Sequence, residues 1–499
     1  MLDTNFCYIN LLKMNATAKV ILAVLFTVYV CLTFLFAFNG YPGFIQDSTC
    51  FLPTAYFINH FHQLINPLYD AGLDPLQHRF LFYPPLFPYV VAVVNSSMPE
   101  FYNNMMVSLT WIDNLSMAIL LISVMLYVRR NRLQTSINMY LFAILWLIAL
   151  FSFYGVQEGR PEVLCKFFLA CFLLNNIYQS KRFCDFNNGL LVGLNLITSP
   201  VSTFYLMVII VGLLTYQNKF KLTFIFQTLL GFAIVLGIFT SVYPYHLSEL
   251  IHSLQKHSQN VIVNRVSTGG FKNFVQFYIT YAYAPFLVVN FMIAIVYVGY
   301  KLLKKNKFVS VGLLLILTSL VSYFSFKDMP MNYNMLVLSP LFFFILFVVY
   351  AEIAKQKVAG FFLKVSSSML ILTLFVNSTG FIRKTLLYFA TKNEQVSGLA
   401  FRQQFIKVYN LTPKNKKIAI SFSLWPYCLD KYKNITMNNL DTAVKYEISQ
   451  QLYSGSNEPK PENGFKLITN NFISKHPKLG KLPLGNTYPW FQTAIYERK

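Results

Sequence analysis

Long apolar runs alternate with short polar clusters over most of the chain. Runs at 19–38, 104–128, 135–155, 162–178, 222–243, 279–300, 308–326, 333–350 and 361–381 approach or exceed the roughly 20 residues that cross a bilayer. A further run, 189–216, is too long for one typical span and is broken at Ser199-Pro200. Proline removes a backbone donor there and turns the preceding residue away from the helix. Counting this run as two helices puts "RRNR" (129–132), "SKR" (180–182), "NKFK" (218–221), "KLLKKNK" (301–307) and "KQK" (355–357) on one side with the N-terminus. The positive-inside rule favours that count. The first run is long and lacks an A-x-A-like cleavage site, so it is expected to be a retained helix rather than a signal peptide.

The predicted fold class is a polytopic α-helical membrane protein of about eleven transmembrane helices with an extracytoplasmic, mixed α/β C-terminal domain. The membrane part is 1–381 and the outer domain 382–499. The expected outer features are a large first loop (39–103), a short turn at 155–162, a loop around 244–278 and the tail. Within the tail, "KKIAISFSLW" (416–425) reads as a strand between turn-rich segments. No internal repeat is visible, which weakens an inverted-repeat transporter reading.

Composition agrees with this pattern. Hydrophobic residues make up 55% of the 499 and charged residues 12%, against about 25% charge in soluble chains. The net charge of +22 falls largely in the clusters between apolar runs, so it reads as membrane orientation and not as nucleic-acid binding. Contact with anionic lipid heads is a secondary use. The seven cysteines show no zinc spacing or disulfide framework, and a bridge between Cys50 and Cys428 is left open. No Walker loop, G-x-G-x-x-G, H-E-x-x-H or G-x-S-x-G is present.

Few residues remain to carry chemistry. Asp47 stands nine residues beyond Phe38 in "FIQDSTCFLPTAYF" (44–57), ahead of a stretch able to form a helix along the interface. It reads either as an ordinary loop acid or as a site residue. The same loop holds His78-Arg79 just before Tyr83-Pro84-Pro85-Leu86, and the run 86–94 is too short to span. In "QEGRPEVLCK" (157–166), Pro161 suits a first helical turn and Glu162 the positive end of that helix, a complete structural account for both. Arg160 is harder to explain, because positive charge is less expected outside. Asp113 falls inside the second span, where a carboxylate is costly; a functional role, a neutral acid, and a bond to Asn114 or to a serine on a neighbouring helix all fit.

In the order and placement of these motifs the chain resembles the GT-C superfamily of membrane glycosyltransferases. The likeness is to dolichyl- or undecaprenyl-phosphate-sugar transferases related to protein mannosyltransferases and aminoarabinose transferases. It rests on the first-loop acid Asp47, "YPPL" (83–86), "GRPE" (159–162), a proline-containing late helix ("YNMLVLSPLFFF", 333–344) and an outer C-terminal domain. Many relatives carry two adjacent acids where this chain has Asp47 and Ser48, and some carry a charged pair where it has Phe82 and Tyr83. The first departure puts a two-acid metal site in doubt and leaves a divalent metal open, with no cofactor otherwise implied.

The resemblance implies an enzyme that moves a sugar from a polyprenyl-phosphate donor to a hydroxyl of a glycan, lipid or protein acceptor, with inversion, on the extracytoplasmic face. Asp47 is the implied general base. Arg79, Arg160 and Arg265, in that order, are candidates for the leaving phosphate. His78, Tyr83 and Glu162 complete the expected substrate-binding set. A bacterial cytoplasmic membrane is the expected location, with the endoplasmic reticulum as the alternative. Competing readings are a lipid-linked polysaccharide polymerase or ligase relying on Arg265, a secondary transporter built around Asp113, and a receptor whose outer tail is the working part.

Overall fold

The computed structural model describes residues 16–41, 43–44, 47–69, 73–98, 104–130, 156, 159–178, 184–203, 206–207, 222–263, 337, 381–382, 384–386, 388–390, 398–437, 440–452, 464–470 and 491–499. The expected spans 135–155, 279–300 and 308–326, nearly all of 333–350 and 361–381, and Arg265, lie outside these residues.

Where apolar runs were uninterrupted, helices form with nearly the expected limits. These are α1 (Ala16–Phe38), α4 (Asn104–Arg130), α5 (Glu162–Tyr178) and α7 (Leu222–Val242). Three of them, α1, α4 and α7, contain stretches long and apolar enough to cross a membrane, and the chain is an integral membrane protein. The first loop is itself helical, with α2 (Ser48–Phe61) and α3 (Leu86–Ser96). At 11 residues α3 is too short to cross a bilayer.

The run 189–216 breaks where proline predicted. Helix α6 (Cys184–Leu196) ends just before Ser199-Pro200, and a new helical stretch starts at Pro200. Helix α6 begins earlier than the apolar run because its first turn is polar. It packs on α7 through glycines: Gly189 meets the Thr228 carbonyl, Gly193 meets Val235, and Gly231 of α7 meets the Phe186 carbonyl. A Cβ at Gly193 would stand 2.8 Å from that of Val235. Small residues four apart allow such backbone approach, and dispersion then holds helices that no hydrophobic effect drives together.

Two expectations need correction. The segment around 244–278 was expected to be loop, but Leu247–Val263 forms α8. Leu247, Leu250, Ile251 and Leu254 share one helical face, and the His246 carbonyl accepts from the amides of Glu249 and Leu250 at its start. The strand at 416–425 stops at Ile420; Phe422–Tyr427 coils into a 3₁₀ helix containing Pro426, which cannot donate to a ladder.

After α9 (Gly398–Leu411), the tail forms a sheet of β1 (Lys417–Ile420), β2 (Ile435–Thr436), β3 (Val444–Leu452), β4 (Phe465–Asn470) and β5 (Phe491–Arg498). The strand order is β2-β1-β3-β5-β4; β1 runs parallel to both neighbours, and β5 is antiparallel to β3 and β4. Ile418, Ile420, Ile448 and Ile495 of this sheet belong to the same buried core as Phe51, Leu52, Ala55 and Phe57 of α2. The first loop and the tail therefore fold as one packed unit.

Candidate functional site

Asp47 immediately precedes α2 and does not cap it with its side chain. Its Oδ2 instead receives Arg160 Nη1 at 2.7 Å, while Arg160 Nε donates to Glu162 Oε2 at 3.1 Å. The three "GRPE" and first-loop candidates thus converge in one acid–arginine–acid array. Glu162 is buried at 2% side-chain exposure, Arg160 sits at 11%, and Asp47 reaches solvent at 38%. Oδ1 of Asp47 has no partner among the described residues. The array fixes one edge of the carboxylate and presents the other.

Local backbone chemistry builds this array. Gly159 has φ +59°, and a Cβ there would stand 2.6 Å from the Ser48 Cβ. Only glycine lets the turn press against the first residue of α2. Pro161 then opens α5, its carbonyl accepting from Leu164 and Cys165, and places Glu162 in the first turn. Beside the array, burial and the Asp47 charge push the Cys50 thiol up to about 12, so it is no nucleophile. Cys50 and Cys428 are both free and buried, with no bridge between them.

Phe51 connects the array to the proline motif. The Arg160 guanidinium lies 5.4 Å over its ring, and the Tyr83 ring meets it edge-on at 5.3 Å. Two residues on, Pro85 and Leu86 line an apolar groove of about 420 Å³ with Tyr89, Leu194, Val235 and Phe239. Tyr243 belongs to the same lining and meets Tyr245 at 5.7 Å between centroids. Arg79 lies over the Tyr245 ring at 5.5 Å. Tyr243 and Tyr245 thus link the lining of the apolar groove to Arg79.

Arg79 is not bare. Its Nε donates to Asp74 Oδ2 at 2.7 Å and its Nη1 to Glu249 Oε2 at 3.0 Å. Burial opposes ionisation of Asp74, but hydrogen bonds from the Arg79 side chain and backbone outweigh it and hold that carboxyl below its usual range. Asp74 is the fixed partner at 12% exposure and Glu249 the exposed one at 37%. His78 sits in the left-handed region at φ 54°, with its carbonyl accepting from the Asn66 amide.

Asp113 has partners other than those expected. It is fully buried and paired with Lys166 of α5, and Tyr29 of α1 donates to its Oδ2 at 3.1 Å. Asn114 bonds instead to Thr33. These contacts lock α1, α4 and α5 together and account for the acid structurally. Sequence reasoning passed over Lys166, although a lysine inside an apolar span is itself a sign of a partner. It also passed over Glu249, an acid in the first turn of a helix not anticipated there. Among the described residues no group of three or more His, Cys, Asp or Glu is placed to hold a metal.

No family model matches the chain, and no curated protein does. Solved structures do. The fold superposes on ArnT from Cupriavidus metallidurans bound to undecaprenyl phosphate with a TM-score of 0.52 at 10% identity, over 97% of this chain and 98% of that one. The apo state of that protein gives 0.51 at 10% identity, over 87% and 93%. The apo oligosaccharyltransferase of Archaeoglobus fulgidus lies further off, at 0.45 and 11%, over 87% and 69%. The chain shares the overall fold of ArnT.

Proposed function

We propose that the protein is a membrane glycosyltransferase that moves a sugar from a polyprenyl-phosphate donor to an acceptor hydroxyl on the extracytoplasmic face. The observation that carries this reading is Asp47: a carboxylate clamped on one edge by Arg160 and open on the other, in a GT-C-type fold. The solved neighbour with undecaprenyl phosphate supports the donor class. An isoprenoid chain suits the apolar groove between α3, α6 and α7, and Arg79, joined to that lining through Tyr245 and Tyr243, is the cation proposed for its phosphate, with His78 beside it in sequence.

In the proposed reaction the acceptor oxygen attacks the anomeric carbon, its proton passes to Asp47, and polyprenyl phosphate departs with the electron pair of the broken bond. A single displacement inverts the anomeric centre. Arg79 offsets the charge that grows on the leaving phosphate. Arg160 is committed to Asp47 and Glu162, so its part is to orient the base.

Purified protein incubated with a panel of polyprenyl-phosphate sugars tests the proposal through released polyprenyl phosphate. Asp47→Asn should lower the rate by about 10²–10⁴, the usual worth of a general base, while the protein stays folded. A full rate in Asp47→Asn removes Asp47 from the role.

A further inference from the structure

The residue after Asp47 is held by the far end of the chain. Trp425, in the 3₁₀ helix Phe422–Tyr427 of the tail, is fully buried and donates from Nε1 to Ser48 Oγ at 3.0 Å. Its ring stacks on Phe44 with centroids 5.3 Å apart. Ser48 is itself fully buried, with Gly159 pressed against it at the turn that precedes Arg160. The start of α2 is therefore gripped between the "GRPE" turn and the indole.

We infer that Trp425 is a positioning residue for the proposed base: through Ser48 and Phe44 it sets where Asp47 stands against Arg160. This deepens the proposed function and rests on it. It also gives position 48 a use. Where many GT-C relatives carry a second acid, this chain has a hydroxyl turned to an indole inside a packed core, which offers no second carboxylate to a metal.

Three features support positioning over simple packing. The contact is a directed hydrogen bond between buried groups, which fixes an angle as well as a distance. It joins the residue adjacent to Asp47 to a rigid, fully buried ring. Tyr432 reinforces the same seam further along α2, meeting Phe57 at 4.9 Å and Phe61 at 6.1 Å. Apolar surface therefore already holds the tail to α2, leaving the indole N–H for the finer setting.

The test compares initial rates of the full-length protein and its Trp425→Phe variant, which keeps a ring on Phe44 and removes the donor. The expected result is a fall in kcat of about tenfold to a hundredfold, the scale of a misplaced catalytic group, with the donor KM unchanged. In an Asp47→Asn background the same replacement should add no further loss, because it acts through that carboxylate. Ser48→Ala, which removes the hydroxyl that accepts from the indole, should reproduce the effect if Trp425→Phe folds poorly. Wild-type kcat in both single variants overturns the inference, as does an equal loss in the Asp47→Asn background. A fully active Asp47→Asn protein defeats instead the base assignment on which the inference rests.

Discussion

Arg160 Nη1 reaches Asp47 Oδ2 at 2.7 Å across 113 residues of chain. The same guanidinium holds the buried Glu162. One planar cation thus spans two acids, a task that suits the arginine fork and not a point charge.

Arg160→Lys should therefore keep the charge and lose the geometry. We expect kcat to fall about tenfold or more with modest loss of stability, read by initial rates and thermal unfolding. Arg160→Ala leaves Glu162 buried without its cation and should cost about 3–5 kcal/mol, seen as a large drop in melting temperature.

Gly159→Ala tests the turn beneath them. The positive φ and the 2.6 Å approach to Ser48 act together. An L-residue held there costs on the order of 1–3 kcal/mol before the clash is counted. The variant should melt lower and transfer sugar more slowly than wild type. Wild-type melting would mean that the turn is not pressed against α2.

The Asp113–Lys166 pair separates structure from chemistry. Lys166→Met alone strands a buried carboxylate and should destabilise by about 3–5 kcal/mol. Lys166→Met with Asp113→Leu removes both charges and should recover most of that stability, with transfer largely intact. A double variant that is stable yet inactive would return Asp113 to the list of functional residues.

Glu249→Gln tests the proposed contact of the donor phosphate with Arg79. Arg79 carries two acids, so an incoming phosphate must compete with the exposed one. Removing that charge should tighten undecaprenyl phosphate binding about threefold to tenfold, as loss of a partly exposed ion pair and its repulsion allows. Glutamine also suits the third position of a helix, so α8 should persist. Unchanged binding would place the phosphate elsewhere than on Arg79.

Much of this architecture is legible along the chain. Uninterrupted apolar runs set the limits of α1, α4, α5 and α7, because burial of apolar surface needs no partner named in advance. Only Arg160 stood out as a charge out of place; Asp47 read equally as a loop acid and Glu162 as a helix-start acid, yet the array unites all three. What the sequence hides is pairing at a distance. Nothing local ties Trp425 to Ser48, Lys166 to Asp113 or Glu249 to Arg79. The 3₁₀ helix that carries Trp425 lies in a stretch that alternates like a strand, and tertiary packing overrode that local preference.

The core shared by α2 and the terminal sheet also sets an order of events. Phe44 stacks on Trp425 and Phe57 meets Tyr432, so these first-loop rings are not covered until the tail exists. Chains generally organise from the N-terminus as they are synthesised, yet here an early loop must wait for a segment far along the chain. A nascent chain not yet extended to Trp425 and Tyr432 would leave those first-loop rings bare, a form open to protease attack before any chemistry begins.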